Sequence, residues 1–174
     1  MKDTIQTLIT RRSCRSYKEE QIKDEELKII LEAGTYAPTG MGKQSPIILV
    51  IQDEETRKKL TKINAKIAGD ESRDTFYNAP TILLVMADKN IKTYIEDGSL
   101  VLGNMMNAAA ALNVGSCWIH RAKEELETEE GKKLLEKWGI PDNFVGIGHC
   151  ILGYAKESAK GADERKKDYI RYIK

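Results

Sequence analysis

Four short apolar segments set the terms on which this chain can fold: residues 47–51, 81–86, 114–119 and 144–154. The first, Ile47-Ile48-Leu49-Val50-Ile51, is continuous, long enough for a buried strand and too short for a helix. The second is set off by Pro80 and also reads as a buried strand. The third reads as a strand and the fourth as a final core strand. Helical patterns lie between them. Residues 3–10 carry Ile5, Leu8 and Ile9 at helical spacing, with Asp3 or Thr4 as cap. A second helix begins at Asp24, whose side chain can cap it, with Leu27, Ile30 and Leu31 as its stripe. Charged helices are expected over 53–68 and 123–137, the latter exposed, and the longest pattern covers 91–113. Strands and helices do not alternate strictly, which disfavours a purely parallel doubly wound sheet. The expectation is one α+β domain spanning 1–174, with helices around a central sheet.

Composition removes several classes of function. Lys and Arg total 28 against 27 Asp and Glu, a formal charge of +1, so bulk electrostatic binding to nucleic acid or an anionic membrane is not expected. No uninterrupted apolar stretch approaches the roughly 20 residues of a membrane span. The N-terminus shows no signal-type apolar run. Cys14, Cys117 and Cys150 are odd in number and without scaffold spacing, which reads as thiols of a reducing, cytoplasmic compartment.

Against that even background, Arg11-Arg12-Ser13-Cys14-Arg15-Ser16-Tyr17 concentrates three guanidinium groups and a hydroxyl within five residues. Arg offers a planar fork of donors and keeps its charge, so the group suits an oxyanion such as phosphate. A solvated basic turn is the competing reading. Helix 91–113 is also unusual, for Gly98, Ser99, Gly103, Asn104, Asn107 and residues 108–111 are nearly all small. Gly inside a helix costs about 1 kcal/mol against Ala. Close backbone approach, within the core or at a subunit contact, would offset that cost.

Other motifs lack the residues their chemistry needs. Gly40-Met41-Gly42-Lys43 has Ala37 and Gln44 where a nucleotide-triphosphate loop needs Gly and Ser or Thr. Gly146-Ile147-Gly148 lacks a third glycine at Ile151 and lies on a late strand, so close packing explains it better than dinucleotide binding. His149 and Cys150 are adjacent on a strand and point to opposite faces, so with Cys117 and His120 they make no metal site. Cys14, flanked by Arg12 and Arg15, is the more reactive thiol candidate. Glu124-Glu125 and the acids at 127–130 read as solvated helix faces, and no acid–base pair stands out.

In order along the chain, the Arg11 to Tyr17 segment, Ala37-Pro38-Thr39-Gly40 with Gln44, the small-residue helix running into Gly115-Ser116-Cys117-Trp118-Ile119, the segment 146–154 and the tail around Arg165-Lys166 resemble the nitroreductase family of FMN-dependent oxidoreductases. The resemblance implies a three-layer α+β sandwich with a mainly antiparallel sheet, forming an intertwined homodimer with two FMN sites at its interface. It implies that Arg11, Arg12 and Ser13 hold the phosphate and ribityl end, and that Arg15 reaches the N1/O2 edge of the ring. Pro38, Thr39, Gly40 and Gln44 match a loop contributed by the other subunit. Trp118, Ile119 and His120 match a strand end over the ring, Asn64 the pyrimidine edge, and Arg165 and Lys166 tail cations that complete the phosphate site.

No metal and no catalytic side chain is implied, because the cofactor carries the chemistry. NADH or NADPH would deliver hydride at N5, and a small electron-poor acceptor, such as a nitroaromatic or quinone, would follow in a ping-pong sequence. His120 is a candidate modulator of proton delivery. A non-catalytic flavin- or nucleotide-binding module is the alternative. The chain departs from the family in being short, in carrying His120 and Arg121 where small or acidic residues are more usual, and in having Gly42 where a side-chain amide is common.

Overall fold

The four apolar segments become strands β1 (Pro46–Ile51), β2 (Thr81–Asp88), β3 (Gly115–Ile119) and β4 (Phe144–Gly153) in a computed structural model that describes residues 3–174. Met1 and Lys2, which the domain and N-terminal readings include, lie outside the described residues. The strands pair antiparallel throughout in the order β1-β2-β4-β3. Side chains alternate along β2: Ile82, Leu84 and Met86 enter one core, Leu83 and Val85 the other. Both faces of the sheet are therefore buried, which is why β2 reads as an unbroken apolar run.

Helices α2 (Asp24–Thr35) and α4 (Tyr94–Ala111) cover one face with Ile30, Leu102 and Met105. Helices α3 (Glu54–Ile67), α5 (Ala122–Glu127) and α6 (Glu129–Trp138) cover the other with Leu60, Leu126 and Leu134. The result is the expected three-layer α+β arrangement. Among the described residues no helix is long and apolar enough to cross a membrane.

Four local expectations are corrected. Strand β1 pairs only with β2 and is an edge, so Val50 stays exposed and Ile47, Ile48 and Leu49 are half-buried. Asp24 does not cap α2; Lys23 is the cap residue, and its backbone N–H donates to Glu26 at 3.2 Å. The single exposed helix over 123–137 is two helices, because the Thr128 hydroxyl donates to the Glu125 carbonyl and accepts from the Gly131 N–H, ending one helix and starting the next. Helix α1 (Thr4–Thr10) forms, with Asp3 accepting from the N–H groups of Ile5 and Gln6. Its apolar stripe turns away from both cores, however: Ile5, Leu8 and Ile9 are 60%, 52% and 61% exposed.

The basic segment is not a solvated turn. Ser13 forms a parallel bridge with Ser116 on the outer side of β3, and the Cys14 N–H donates to the Ser116 carbonyl at 2.8 Å. Further on, Tyr17 bridges Ala155 and the Lys18 N–H donates to the Tyr154 carbonyl at 2.8 Å. Cys14 enters the core, with its thiol donating to the Ser16 carbonyl, while its neighbour Arg15 is exposed. Alternation along an extended segment puts neighbours on opposite sides. Cys14, expected as the more reactive thiol, is thus buried and apart from the exposed Arg15 side chain.

The glycine pair on β4 flanks an irregularity in which Val85 pairs with Gly148 and Met86 with Gly146. Gly146 lies against the backbone of Ala122, and Gly148 against the indole of Trp118. A Cβ at Gly146 would sit 2.6 Å from the Ala122 carbonyl, whereas Gly161 faces open space. Gly146→Ala should therefore lose on the order of 1–3 kcal/mol in urea unfolding. Gly161→Ala is the control and should unfold like the parent.

Candidate active site

The Arg segment lines a cleft of about 600 Å³ together with Ala110 at the end of α4, residues 113–115, Ala155 and residues 157–159, the acid Glu157 among them. Each Arg has a different state. Arg11 Nη1 is buried and has no hydrogen-bond partner. Arg12 Nη1 donates to the carbonyls of Ile9 and Arg11 at 2.8 and 2.6 Å, closing the C-terminal end of α1. Arg15 is exposed, with no side-chain partner among the described residues. A buried guanidinium nitrogen without an acceptor is costly unless an anion completes it. Ser13 is half-buried in the same wall.

Arg15 also lines a second, smaller cleft at the C-terminal end of β3, where Trp118, Ile119, His120 and Arg121 meet Arg73, Thr75 and Tyr77. It is common to both clefts and links them. Burial pushes the Cys150 thiol up to about 12, neighbouring Cys117 adds to the shift, and the charge of Arg11 opposes it. Burial, with Cys14 next in importance, also raises Tyr17, whose hydroxyl donates to the Cys14 carbonyl at 2.8 Å.

The turn after β3 rests on a polar network inside the protein. Asn64 Nδ2 donates to the His120 carbonyl at 2.9 Å and to Glu125 Oε1, while Asn64 Oδ1 accepts from Arg121 Nε at 3.2 Å. Two acceptors on one side and a donor on the other admit a single orientation of the amide. Glu125 Oε2 lies 3.2 Å from His149 Nε2, both side chains fully buried. That contact falls short of a well-aligned hydrogen bond, and neither ring nitrogen of His149 has a hydrogen-bond partner. Phe76 presents its ring edge-on to the imidazole, with centroids 5.0 Å apart. Arg121 itself takes a left-handed backbone, φ 78°, which the network helps to hold.

Asn64, expected at the pyrimidine edge, is fully buried in this structure, with its amide engaged by His120, Glu125 and Arg121. Glu125 corrects the reading of solvated acids. Adjacent to exposed Glu124 on a short amphipathic helix, it turns inward to Asn64 and His149. A local signal exists in Leu126, which marks the buried side of the same helix.

The remaining expected site residues lie elsewhere in the single chain. Thr39 and Gln44 border a separate apolar cleft of about 410 Å³ next to Ile47, Ile48 and Val101. Their loop is tied to α4 by buried Asp97, which accepts from the Gly40 N–H at 2.9 Å and from the hydroxyls of Thr93 and Ser45. Pro38 is exposed in the same loop. In the exposed tail, Arg165 donates to the Asp163 carbonyl and Lys166 lies over the Tyr169 ring. Neither tail cation lines the Arg cleft.

Comparison with known proteins agrees with this fold. The model of the family described as "Nitroreductase family" matches residues 8–154. The chain belongs to the nitroreductase family. Among curated relatives, a protein of Archaeoglobus fulgidus described as "Putative NADH dehydrogenase/NAD(P)H nitroreductase" is 33% identical over 162 residues, 90% of this chain and 88% of that protein. An FMN reductase [NAD(P)H] of Bacillus subtilis is 35% identical over 183 residues, 92% of this chain and 69% of that protein. The crystal structure of a nitroreductase with bound FMN from Bacteroides fragilis is 27% identical, with a TM-score of 0.90 and full coverage of both chains.

The network beneath the nitroreductase β3 turn yields a stability test. Glu125→Ala leaves Asn64 and His149 facing a buried gap and should cost about 3–5 kcal/mol in urea unfolding, with Glu125→Gln losing less. Equal stability of all three proteins would contradict the assignment.

Proposed function

We propose that this nitroreductase-family chain is an FMN-dependent oxidoreductase that takes electrons from NADH or NADPH and passes them to a small electron-poor acceptor. The observation that carries the reading is the convergence of Arg11, Arg12, Ser13 and Arg15 on one cleft, with Arg11 Nη1 left without a hydrogen-bond partner. FMN, when bound, supplies hydride acceptance at N5 and onward electron transfer. The protein supplies binding, orientation and electrostatics.

In this reading Arg11 and Ser13 bind the phosphate. Arg12 fixes the turn through its carbonyl contacts and leaves its remaining donors for the same phosphate. Arg15, joining the two clefts, addresses the ring edge with a fixed positive charge that favours electron-rich states there. Backbone groups of Trp118, Ile119 and His120 line the ring, held in place from behind by Asn64 and Glu125. Donor and acceptor would use the same space in turn, giving ping-pong kinetics.

The active unit in this reading is a homodimer of single-domain chains. The loop containing Pro38, Thr39, Gly40 and Gln44 does not line the Arg cleft within one chain, and in this reading a second copy supplies it, while the tail with Arg165 and Lys166 completes the phosphate site. The exposed apolar residues of α1, with Ile95, Leu100, Tyr169 and Ile170, supply surface for such a contact. Gly98 of α4 is occupied by Ile147, whereas Gly103 faces open space and suits close approach by another chain. Three unpaired thiols fit a reducing cytoplasm.

The purified protein should be yellow and carry about one FMN per chain, consistent with its chemistry as the cofactor. Arg11→Ala should remove a charge-assisted contact of about 1.5–3 kcal/mol, weakening FMN binding about 10- to 100-fold by fluorescence titration. Retention of FMN at the parent affinity would refute the phosphate assignment.

A further inference from the structure

Asp97 is a buried acid that the proposed electron transfer does not use. It sits in the first turn of α4, is 2% exposed, and forms no ion pair among the described residues. Neutral donors surround it instead. Oδ1 accepts from the Gly40 N–H at 2.9 Å, and Oδ2 from the hydroxyls of Thr93 at 3.1 Å and Ser45 at 3.4 Å. The start of a helix favours a carboxylate, yet an apolar side chain would fill the same place without desolvating a charge. Packing alone therefore does not account for an acid here. What the acid adds is geometry: one oxygen holds the first residue of the loop over 40–45, and the other holds the last.

The backbone of that loop is a second, independent observation. Met41, Gly42 and Gln44 all take left-handed conformations, with φ of 51°, 64° and 50°, and two of the three carry a Cβ. Such a run persists only where its surroundings over-determine it. Gly40 packs so closely on Thr93 that a Cβ there would overlap the hydroxyl oxygen, and the Gln44 N–H donates to Thr39 Oγ1 at 3.0 Å. Residues 41–44 are nevertheless exposed, Met41 almost completely. A loop held at both ends from inside the protein and bare at its tip presents that tip to something outside its own chain.

We propose that Asp97 is a positioning residue that acts across the subunit contact: in one chain it fixes the loop that completes the flavin site of the other. Asp97 is enclosed and its oxygens are taken by these donors, so it acts only through the loop. The inference rests on the homodimeric flavin reading. It goes beyond that reading by naming the side chain that sets the loop and the site at which its loss is felt.

The test combines Asp97→Ala with Arg11→Ala in mixed dimers of differently tagged chains, with FMN affinity read by fluorescence titration. Asp97→Ala homodimers should bind FMN about 10-fold or more weakly, the size of a lost buried hydrogen bond to a charged group. Asp97→Asn should recover most of that loss, because its amide keeps an oxygen for Gly40 and offers N–H groups to the hydroxyl oxygens. In the mixed dimer, action across the contact puts both changes in one site and neither in the other. Half of the sites should then bind FMN at the parent affinity. Two weakened sites overturn the proposal, as does parent affinity in Asp97→Ala homodimers. General misfolding of the Asp97→Ala chain would damage its own Arg cleft and so give two weakened sites. Where Asp97→Ala yields no folded chain, Gly40→Ala takes its place, since its Cβ displaces the same loop end with the acid intact, and the same outcomes decide. A parent that takes up no FMN or sediments as a monomer, or Arg11→Ala homodimers at the parent affinity, contradicts the flavin reading itself. A dimeric parent that binds FMN, with two weakened sites in the mixed dimer, contradicts the role of Asp97 alone.

Discussion

Two backbone hydrogen bonds determine what this protein can do with its basic segment: the Cys14 N–H to the Ser116 carbonyl and the Lys18 N–H to the Tyr154 carbonyl. They fix residues 13–18 against β3 and the exit of β4, converting a flexible, mutually repelling run of Arg residues into one wall of a cleft. Guanidiniums in a free turn would be hydrated and separate. Fixed to a sheet whose two faces are both packed, they cannot spread, and Arg11 keeps a buried nitrogen with nothing to donate to. The architecture thus maintains an unrelieved positive charge that an anion would relieve.

The same constraint links binding to the chemistry. Arg15 leaves the segment on the side opposite Cys14 and borders both clefts, so in the proposed reading one element would serve both the phosphate and the ring. At the far end of β3 the rigidity has a different source. The Asn64–Glu125–His149 network is buried, and removal of any partner leaves a polar group without compensation. An active site assembled from a loop-like segment and a strand-end turn is then held as firmly as one built on helices.

The layer architecture was legible because burial on both faces of β2 and β4 writes itself into sequence as short apolar runs. The Arg11 to Tyr17 segment was legible because its local charge contrasts with a nearly neutral chain. What escaped notice depends on distant partners. Glu125 is indistinguishable from Glu124 until the fold brings His149 and Asn64 to it. Asn64, carried over by resemblance as a ligand contact, turns out to be enclosed because His120, Arg121 and Glu125 all converge on one amide. The apolar run of β1 suits a core, yet its edge position leaves Val50 exposed and its neighbours half-buried. Cys14 has Arg neighbours in sequence, but sequence neighbours of an extended residue do not share its side of the strand.

The central claim is that the Arg cleft binds FMN for turnover and not merely for storage. Anaerobic mixing of the FMN-loaded protein with one equivalent of NADH or NADPH, followed at the flavin absorbance near ~450 nm, tests it most directly. The account predicts rapid bleaching with at least one of the two nucleotides and return of colour when an electron-poor acceptor is added. Bound FMN that stays oxidised with both would contradict it, leaving a protein that holds the cofactor without using it.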